Sequence, residues 1–268
     1  MITFSGRREY KYLVPKELID DIRNEMAPYV QLDKFSETQK EKQYTVRSVY
    51  YDTKTFDCYD EKIEGFKVKK KFRIRGYNSC EENGIVFLEI KRKYEDFIEK
   101  NRAPLKWNQV RSLFSVCGFD TSAKAGQESN PYIRIPFEEN SKEDKDARRF
   151  LYNYYSKKLL PTVLVIYERE AFYSKFDPSL RITFDKNIRS LLYPSLDLLY
   201  INEDVKYALA HHFIFEVKFY RSCLPLWIKS IITRYQLQRL SLSKYTICID
   251  SCRVANKFAR SIAYISFS

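Results

Sequence analysis

Lys67-Val68-Lys69-Lys70-Lys71-Phe72-Arg73-Ile74-Arg75 is the stretch whose reading decides the fold. In an extended strand alternate side chains share a face. Lys67, Lys69, Lys71, Arg73 and Arg75 therefore fall on one side, and Val68, Lys70, Phe72 and Ile74 on the other. The first face is wholly cationic and the second mostly apolar. A solvated sheet face normally mixes signs, and like charges along and across strands repel. A five-cation stripe asks for an anion.

The alternation recurs. Glu9-Tyr10-Lys11, Glu89-Ile90-Lys91 and Glu216-Val217-Lys218 repeat a Glu-x-Lys unit in strand-like settings, and Lys93 extends the second on the same face. Apolar residues take the opposite faces: Leu88 and Ile90 in one segment, Phe215, Val217 and Phe219 in another. Arg181, Thr183 and Asp185 alternate with Ile182 and Phe184, and Tyr167 shares a face with Arg169. On one strand a solvated sheet face is the ordinary explanation. On several, the charged faces are expected to converge inside the molecule. Burying an unpaired charge costs on the order of several kcal/mol, so a buried cationic wall needs an anion to offset it. A barrel of about eight strands leaves an interior just wide enough for side chains or one slender ligand. The expected fold is α+β: a closed antiparallel β-barrel, a tunnel of about eight strands, with helices packed outside. A linear phosphate chain fits such a bore; duplex nucleic acid does not.

Composition sets the outer limits. The 268 residues are 44% hydrophobic, with 22 Tyr and 19 Phe, and are expected to form a single domain over 1–268. Lys and Arg number 47 against 35 acids, a formal net charge of +12, which points to an acidic partner. The opening MITFSGRREYKYLVP has no apolar run, so no signal peptide is expected, and no stretch has the length of a membrane span. Cytoplasmic placement follows as an expectation. Six cysteines form no C-x-x-C pair and read as reduced thiols; His211 and His212 are the only histidines, which excludes a His-rich metal centre or a Ser-His triad. No glycine-rich phosphate loop is present, so phosphate binding must rest on Arg forks and Lys point charges. Hard cations, Mn2+ or Mg2+, would be held by carboxylate oxygens together with phosphates. Glu216 is the preferred metal ligand; Glu9, Glu89 and Asp185 are weaker candidates with pairing to a neighbouring Lys or Arg as the alternative, a reading at least as strong for Glu9 and Glu89.

Helices are expected after Pro15, from Pro104, over EDKDARRFLYNYYSKKLL, from Pro225 and over 254–263. Strands are expected near 44–52, 66–77, 85–94, 96–101, 162–174, 180–187, 196–202 and 213–221, with solvated loops over 120–130 and 138–146.

The strings REYKY, SVYYDT, KKKFRIRGY, FLEIKRK, YEREAF, LRITFD, FEVKF with LPLW after it, and LSKY run in order from Arg8 to Tyr245. Together they resemble the VTC (vacuolar transporter chaperone) domain of the triphosphate tunnel metalloenzyme superfamily. The resemblance implies polyphosphate polymerase activity, in which a nucleoside triphosphate donates its γ-phosphate to a growing polyphosphate chain. It implies phosphate ligands at Lys11, Arg73, Arg75, Lys91, Arg169, Arg181 and Lys244, Tyr167 beside the phosphates, and metal at Glu216. Arg73, Arg75, Arg169 and Arg181 would grip the transferred group, and Lys69, Lys71, Lys93 and Lys218 would complete the substrate wall. An attacking phosphate oxygen is already ionised, so no general base is required. One departure stands out: Ser241 occupies a place where the family often has Lys in K-F-S-K-Y, with Arg239 as a candidate substitute. The chain shows neither a phosphate-sensing SPX domain nor membrane segments, so a stand-alone form is expected. The rival readings are a triphosphate hydrolase of the same fold and a non-catalytic binder of polyphosphate or nucleic acid. Nucleic acid is not an expected partner, because the basic stripe alternates with core-type residues rather than with exposed stacking aromatics. The oligomeric state is not legible.

Overall fold

The computed structural model describes residues 7–79, 84–94, 97–115, 135–220 and 223–252. Among the described residues ten strands form one sheet: β1 (Arg8–Pro15), β2 (Val30–Leu32), β3 (Tyr44–Asp52), β4 (Val68–Tyr77), β5 (Ile85–Tyr94), β6 (Phe97–Lys106), β7 (Leu160–Ser174), β8 (Arg181–Leu192), β9 (Lys206–Tyr207) and β10 (His212–Phe219). Every strand pairing among the described residues is antiparallel. Eight strands make the continuous path β1-β10-β8-β7-β3-β4-β5-β6; β2 pairs with β7 and β9 with β8.

The alternation read from the sequence explains why the sheet is covered on one side only. Phe72 and Ile74 of β4, Val86, Leu88 and Ile90 of β5, and Val49 and Tyr51 of β3 point outward into one core. Helices α4 (Trp107–Ser115), α5 (Lys142–Ser156) and α7 (Lys244–Ser251) add Val110, Phe150 and Ile249 to it. A second core lies outside β1, β8 and β10, where Phe184, Phe213, Phe215 and Val217 meet Ile22 and Met26 of α1 (Ile19–Met26) and Ile228 and Ile231 of α6 (Leu226–Arg234). Each such side chain gains roughly 1.5–3 kcal/mol from full burial. That gain holds the apolar faces outward under helices and leaves the charged faces on the concave side.

The expected ring of strands is not closed by backbone pairing. Among the described residues the ladder ends at β1 on one side and β6 on the other. Side chains span the gap instead: Lys91 Nζ of β5 reaches Glu9 Oε2 of β1 at 3.2 Å. Other expectations also change. Pro104 lies inside the edge strand β6, where a residue without N–H is tolerated, and the helix starts at Trp107. Segment 196–202 forms a short 3-10 helix, Leu196–Tyr200, rather than a strand. The charged run 138–146 enters α5, with Ser141 as the N-cap accepting from Asp144 N, and Asp144 and Asp146 are buried. Asp146 is spent on β6, accepting from Asn101 Nδ2 and Arg102 N, both at 2.8 Å. Lys67 precedes β4 and is exposed, so the cationic stripe on the strand begins at Lys69. The strand-like setting of Glu9-Tyr10-Lys11 is met by β1, an additional strand over Arg8–Pro15. The loop over 120–130 and the helix over 254–263 lie outside the described residues. No helix among the described residues is long and apolar enough to cross a membrane.

Candidate functional site: a basic bore on the concave face

The concave face holds two adjoining cavities, of about 420 and 550 Å3, that share Arg73, Arg75, Lys91, Arg169 and Lys218 in their walls. They form one bore running along the strands. The first cavity collects Lys11, Lys69, Lys71, Arg73, Arg75, Lys91, Lys93, Tyr167, Arg169, Glu216, Lys218 and Lys244. These are all but one of the site residues expected from the sequence. Arg181 lines the second cavity instead. There its Nη2 donates to Asp33 Oδ2 at 2.9 Å, and its guanidinium lies 5.3 Å from the Tyr173 ring centre.

Four acids organise the cations. Glu89 is fully buried and surrounded by four: Arg73 at 2.6 Å, Lys100 at 2.7 Å, Arg102 at 3.1 Å and Arg75 at 3.9 Å. Burial opposes its ionisation, but these cations outweigh burial and hold the carboxyl far below its usual range. Asp185 takes a bidentate fork from Arg169 at 2.6 and 2.7 Å and an ion pair from Lys244 at 2.5 Å. Its pKa is held at about 2, burial again being outweighed by Arg169 and Lys244. Glu216 pairs with Lys218 at 2.8 Å and sits 3.9 Å from Arg169. Glu9 pairs with Lys11 at 2.7 Å and with Lys91. For Glu89 and Asp185 the simple pairing with Lys and Arg is what the geometry displays.

The lysines divide into two kinds. Burial and then neighbouring lysines push Lys71 well below its ordinary value, and its Nζ donates to Ser243 Oγ at 2.6 Å. Burial takes Lys218 down to about 8 despite Glu216. Lys11 goes the other way: burial opposes its charge, but Glu9 and Glu216 prevail and raise it.

Sequence reasoning missed several wall residues. Tyr50 accepts from Arg73 Nη1 at 2.8 Å, and Tyr50 stacks on Tyr245 at 5.2 Å. Helix α3 (Asp57–Ile63) contributes Lys62, whose Nζ donates to Ser241 Oγ at 3.0 Å. An ammonium thus reaches position 241 from elsewhere in the fold, while Arg239, the expected substitute, lies 3.8 Å over the Tyr10 ring and also lines the cavity. Only the alternation of charge carried a sequence signal, and Lys62 on a short helix lies outside it.

Glu9 and Glu216 lie diagonally on the paired strands β1 and β10. Burial opposes ionisation of both and Glu216 adds to it at Glu9, yet Lys11 and Lys218 outweigh this and hold both carboxyls below their ordinary value. Thr183, opposite Glu216 in the β10–β8 ladder, has a buried hydroxyl without a hydrogen-bond partner among the described residues. These are hard oxygen donors of the kind a divalent cation takes, with its remaining ligands drawn from phosphates and water. No group of three His, Cys, Asp or Glu side chains is placed to hold a metal ion by itself among the described residues.

The fold and site define an antiparallel sheet curled around a cationic bore with embedded carboxylates. The VTC domain family profile matches residues 6–253, and the chain belongs to that family. It is similar to vacuolar transporter chaperone complex subunit 4 of Schizosaccharomyces pombe, 29% identical over 147 residues, 53% of this chain and 20% of that protein. It is also similar to the subunit 4 of Trypanosoma brucei brucei, 27% identical over 204 residues, 68% of this chain and 25% of that protein. The chain thus spans a quarter or less of the length of these relatives. Among solved structures, the PH1819 protein of Pyrococcus horikoshii OT3 overlays with a TM-score of 0.43 at 11% identity, covering 92% of this chain and all of that one. A putative adenylyl cyclase, HpAC1 from Hippeastrum, described as having a dominant triphosphatase activity, overlays at 0.42 and 10% identity, covering 90% and 94%. At those scores nothing further rests on either likeness.

Proposed function

We propose that this chain is a metal-dependent polyphosphate polymerase, moving the γ-phosphate of a nucleoside triphosphate onto a growing inorganic polyphosphate chain inside the bore. The observation that carries it is the wall itself: Arg73, Arg75, Arg169, Lys11, Lys71, Lys91, Lys218 and Lys244 converge on one narrow space too crowded with cations for their own acids to neutralise. Membership of the VTC domain family supports the same reading.

In this reading the chain works by positioning and charge. Arg73 is fixed by Glu89 and Tyr50, and Arg169 by Asp185, so neither guanidinium reorganises when a phosphoryl group arrives. Arg75, held by Ser48 Oγ at 3.1 Å and Tyr167 Oη at 3.4 Å, presents its fork beside them. Arg181 sits further toward the second cavity and holds phosphates that lie outside the reacting pair. The terminal phosphate oxygen of the acceptor is ionised at neutral pH and attacks the γ-phosphorus without a base, forming the new P–O–P link as the bond to the β-phosphate breaks and the nucleoside diphosphate leaves. Glu216, with Glu9 diagonal to it on the neighbouring strand, would hold Mn2+ or Mg2+, whose charge when bound would neutralise the phosphate oxygens. A single folded unit and cytoplasmic placement, with Cys58, Cys223, Cys248 and Cys252 free, belong to the same proposal.

Incubation with ATP and Mn2+, followed by sizing of the product, tests it. Polymer many phosphates long is expected; free phosphate alone would replace the polymerase by a hydrolase. Glu216→Gln, which keeps the shape, is expected to abolish metal-dependent turnover with the circular dichroism spectrum unchanged. Full metal-dependent activity in that variant would remove Glu216 from the metal site.

A further inference from the structure

Five hydroxyl-bearing side chains among the described residues line the first cavity: Tyr50, Tyr167, Ser241, Ser243 and Tyr245. Four of them are buried and engaged. Tyr50 accepts from Arg73 Nη1 at 2.8 Å, and Tyr167 from Arg75 Nη2 at 3.4 Å. The Tyr245 hydroxyl donates to Asp52. Ser243 accepts from Lys71 Nζ at 2.6 Å and caps α7 through Thr246 N at 3.4 Å. Ser241 differs from all four. It is exposed, and its Oγ faces an amine, Lys62 Nζ, at 3.0 Å.

The hydroxyl is held in place from both sides. Leu240 N donates to Lys11 O at 2.9 Å, and Leu242 O accepts from Lys11 Nζ at 3.2 Å. The segment carrying Ser241 is therefore pinned to β1, the strand that brings Lys11 to the phosphate wall. Arg239, two residues earlier, bridges to Tyr12 of the same strand.

Lys62 is suited to take a proton. Burial lowers its proton affinity, and Lys69, Lys11 and Lys93 lower it further. No ion pair with a carboxylate among the described residues offsets this. A lysine whose charge is disfavoured can act as a general base, and a hydroxyl beside such a base is an activated nucleophile. Paired Ser and Lys side chains do this in other hydrolytic sites. Chain elongation has no use for a base, because its nucleophile is an ionised phosphate oxygen. Transfer to a hydroxyl does need one, and Ser241 is the exposed hydroxyl that has a base beside it.

We propose that Ser241 is a phosphoryl acceptor that starts chains: the first γ-phosphate is transferred to its hydroxyl with Lys62 as the base, and the polymer then grows from that serine ester. This rests on the polymerase reading of the bore and supplies its first step. Ser241 Oγ forms a bond to the γ-phosphorus as the bond from that phosphorus to its bridging oxygen breaks. The nucleoside diphosphate leaves, and the hydroxyl proton passes to the neutral Lys62 amine. The new phosphomonoester carries ionised oxygens, so the next transfer proceeds without a base.

Mass spectrometry of the full chain after incubation with ATP and Mn2+, with no primer added, tests the step. A ladder of phosphate increments on the protein is expected. Mild acid cuts phosphoanhydrides and releases phosphate from lysine nitrogen but spares a serine ester, so one phosphate is expected to remain on the peptide containing Ser241. The second readout is the ratio of unprimed synthesis to synthesis primed with tripolyphosphate. Ser241→Ala is expected to lose the modified peptide and to lower that ratio sharply. Ser241→Thr, which keeps a hydroxyl, is expected to restore both. Lys62→Gln keeps a hydrogen-bonding group beside Ser241 but cannot take the proton, and is expected to slow formation of the ester about a hundredfold or more. An unmodified Ser241 peptide in the unaltered protein, or an unchanged ratio in Ser241→Ala, would overturn the proposal. Absence of polymer even with tripolyphosphate present would instead sink the polymerase reading, and the Ser241 peptide would still report whether the ester forms.

Discussion

Lys218 shows how a single residue ties the site to pH. Its ammonium pairs with Glu216 at 2.8 Å, yet burial carries its pKa down to about 8. Lys100, paired with Glu89 and partly exposed, is also brought down to about 8 by burial. In the unfolded chain both hold their protons up to the ordinary lysine range near 10.4. Between those limits the unfolded state binds more protons, so the ligand-free protein gains stability as pH rises through about 8 and upward. Phosphate binding runs the other way, because an anion favours the charged lysine. Affinity for tripolyphosphate is therefore expected to be level below pH 8 and to fall above it, by about tenfold per pH unit for each lysine that must be recharged. Calorimetry from pH 7 to about 9.5 in buffers of different ionisation enthalpy reads both the affinity and the proton uptake. Lys218→Arg is expected to make the fall shallower; a flat profile in the unaltered protein would contradict the reading.

At the scale of elements, Asp52 at the end of β3 fastens three pieces of the wall together. Its Oδ1 accepts from Thr53 N and Cys58 N, and its Oδ2 from Tyr59 N at the start of α3 and from the Tyr245 hydroxyl on α7. Tyr59 in turn donates to Asp250 at 2.5 Å, joining α3 to α7 a second time. Tyr245 stacks on Tyr50, and Tyr50 holds Arg73, so the clasp ends on the cationic wall. The segment before α7 is laced to β1 as well: Leu240 N donates to Lys11 O at 2.9 Å and Lys11 Nζ to Leu242 O at 3.2 Å. Asp52→Ala leaves buried donors without an acceptor. It is expected to cost about 3 kcal/mol in urea unfolding. It is also expected to weaken tripolyphosphate binding through Tyr50 and Arg73. Tyr245→Phe, which keeps the ring stack and loses one hydrogen bond, should cost about 1 kcal/mol. Equal costs for the two variants would mean that Asp52 does not organise α3.

On the scale of the whole molecule, the net charge of +12 matters less than its enclosure. A bore with cations on its inner face and helices over its outer face admits a slender chain of phosphates and excludes stacked bases. Tripolyphosphate at about a hundred times its dissociation constant is expected to stabilise the fold by about 2.7 kcal/mol, seen as a higher melting temperature that declines with added salt. Single-stranded DNA at the same phosphate concentration should shift the midpoint far less. An equal shift by DNA would favour an open basic surface over a bore.

Much of this architecture is written locally. The alternation Lys69, Lys71, Arg73, Arg75 against Phe72 and Ile74 placed cations and core on opposite faces of β4, and the same period placed Glu89 and Lys91, Glu216 and Lys218, and Tyr167 and Arg169. A period of two is a property of the extended backbone, so no tertiary information is needed to see it. What the sequence left open is what depends on closure and on partners far away along the chain. Pro104 looked like a helix start because proline suits that place, but the edge of a sheet suits it too, and only the ladder decides between them. Lys62 reaches Ser241 across 179 residues, and Arg181 turns from the reacting group to Asp33, contacts with no periodicity to betray them. The sequence by itself determined that a cationic face exists and which side chains share it. The tertiary structure alone decided which of those cations are neutralised by Glu89, Asp185, Glu216 and Glu9, and which, such as Lys69 and Lys93, have no ion-pair partner among the described residues, because charge pairing depends on distances that only the folded sheet sets.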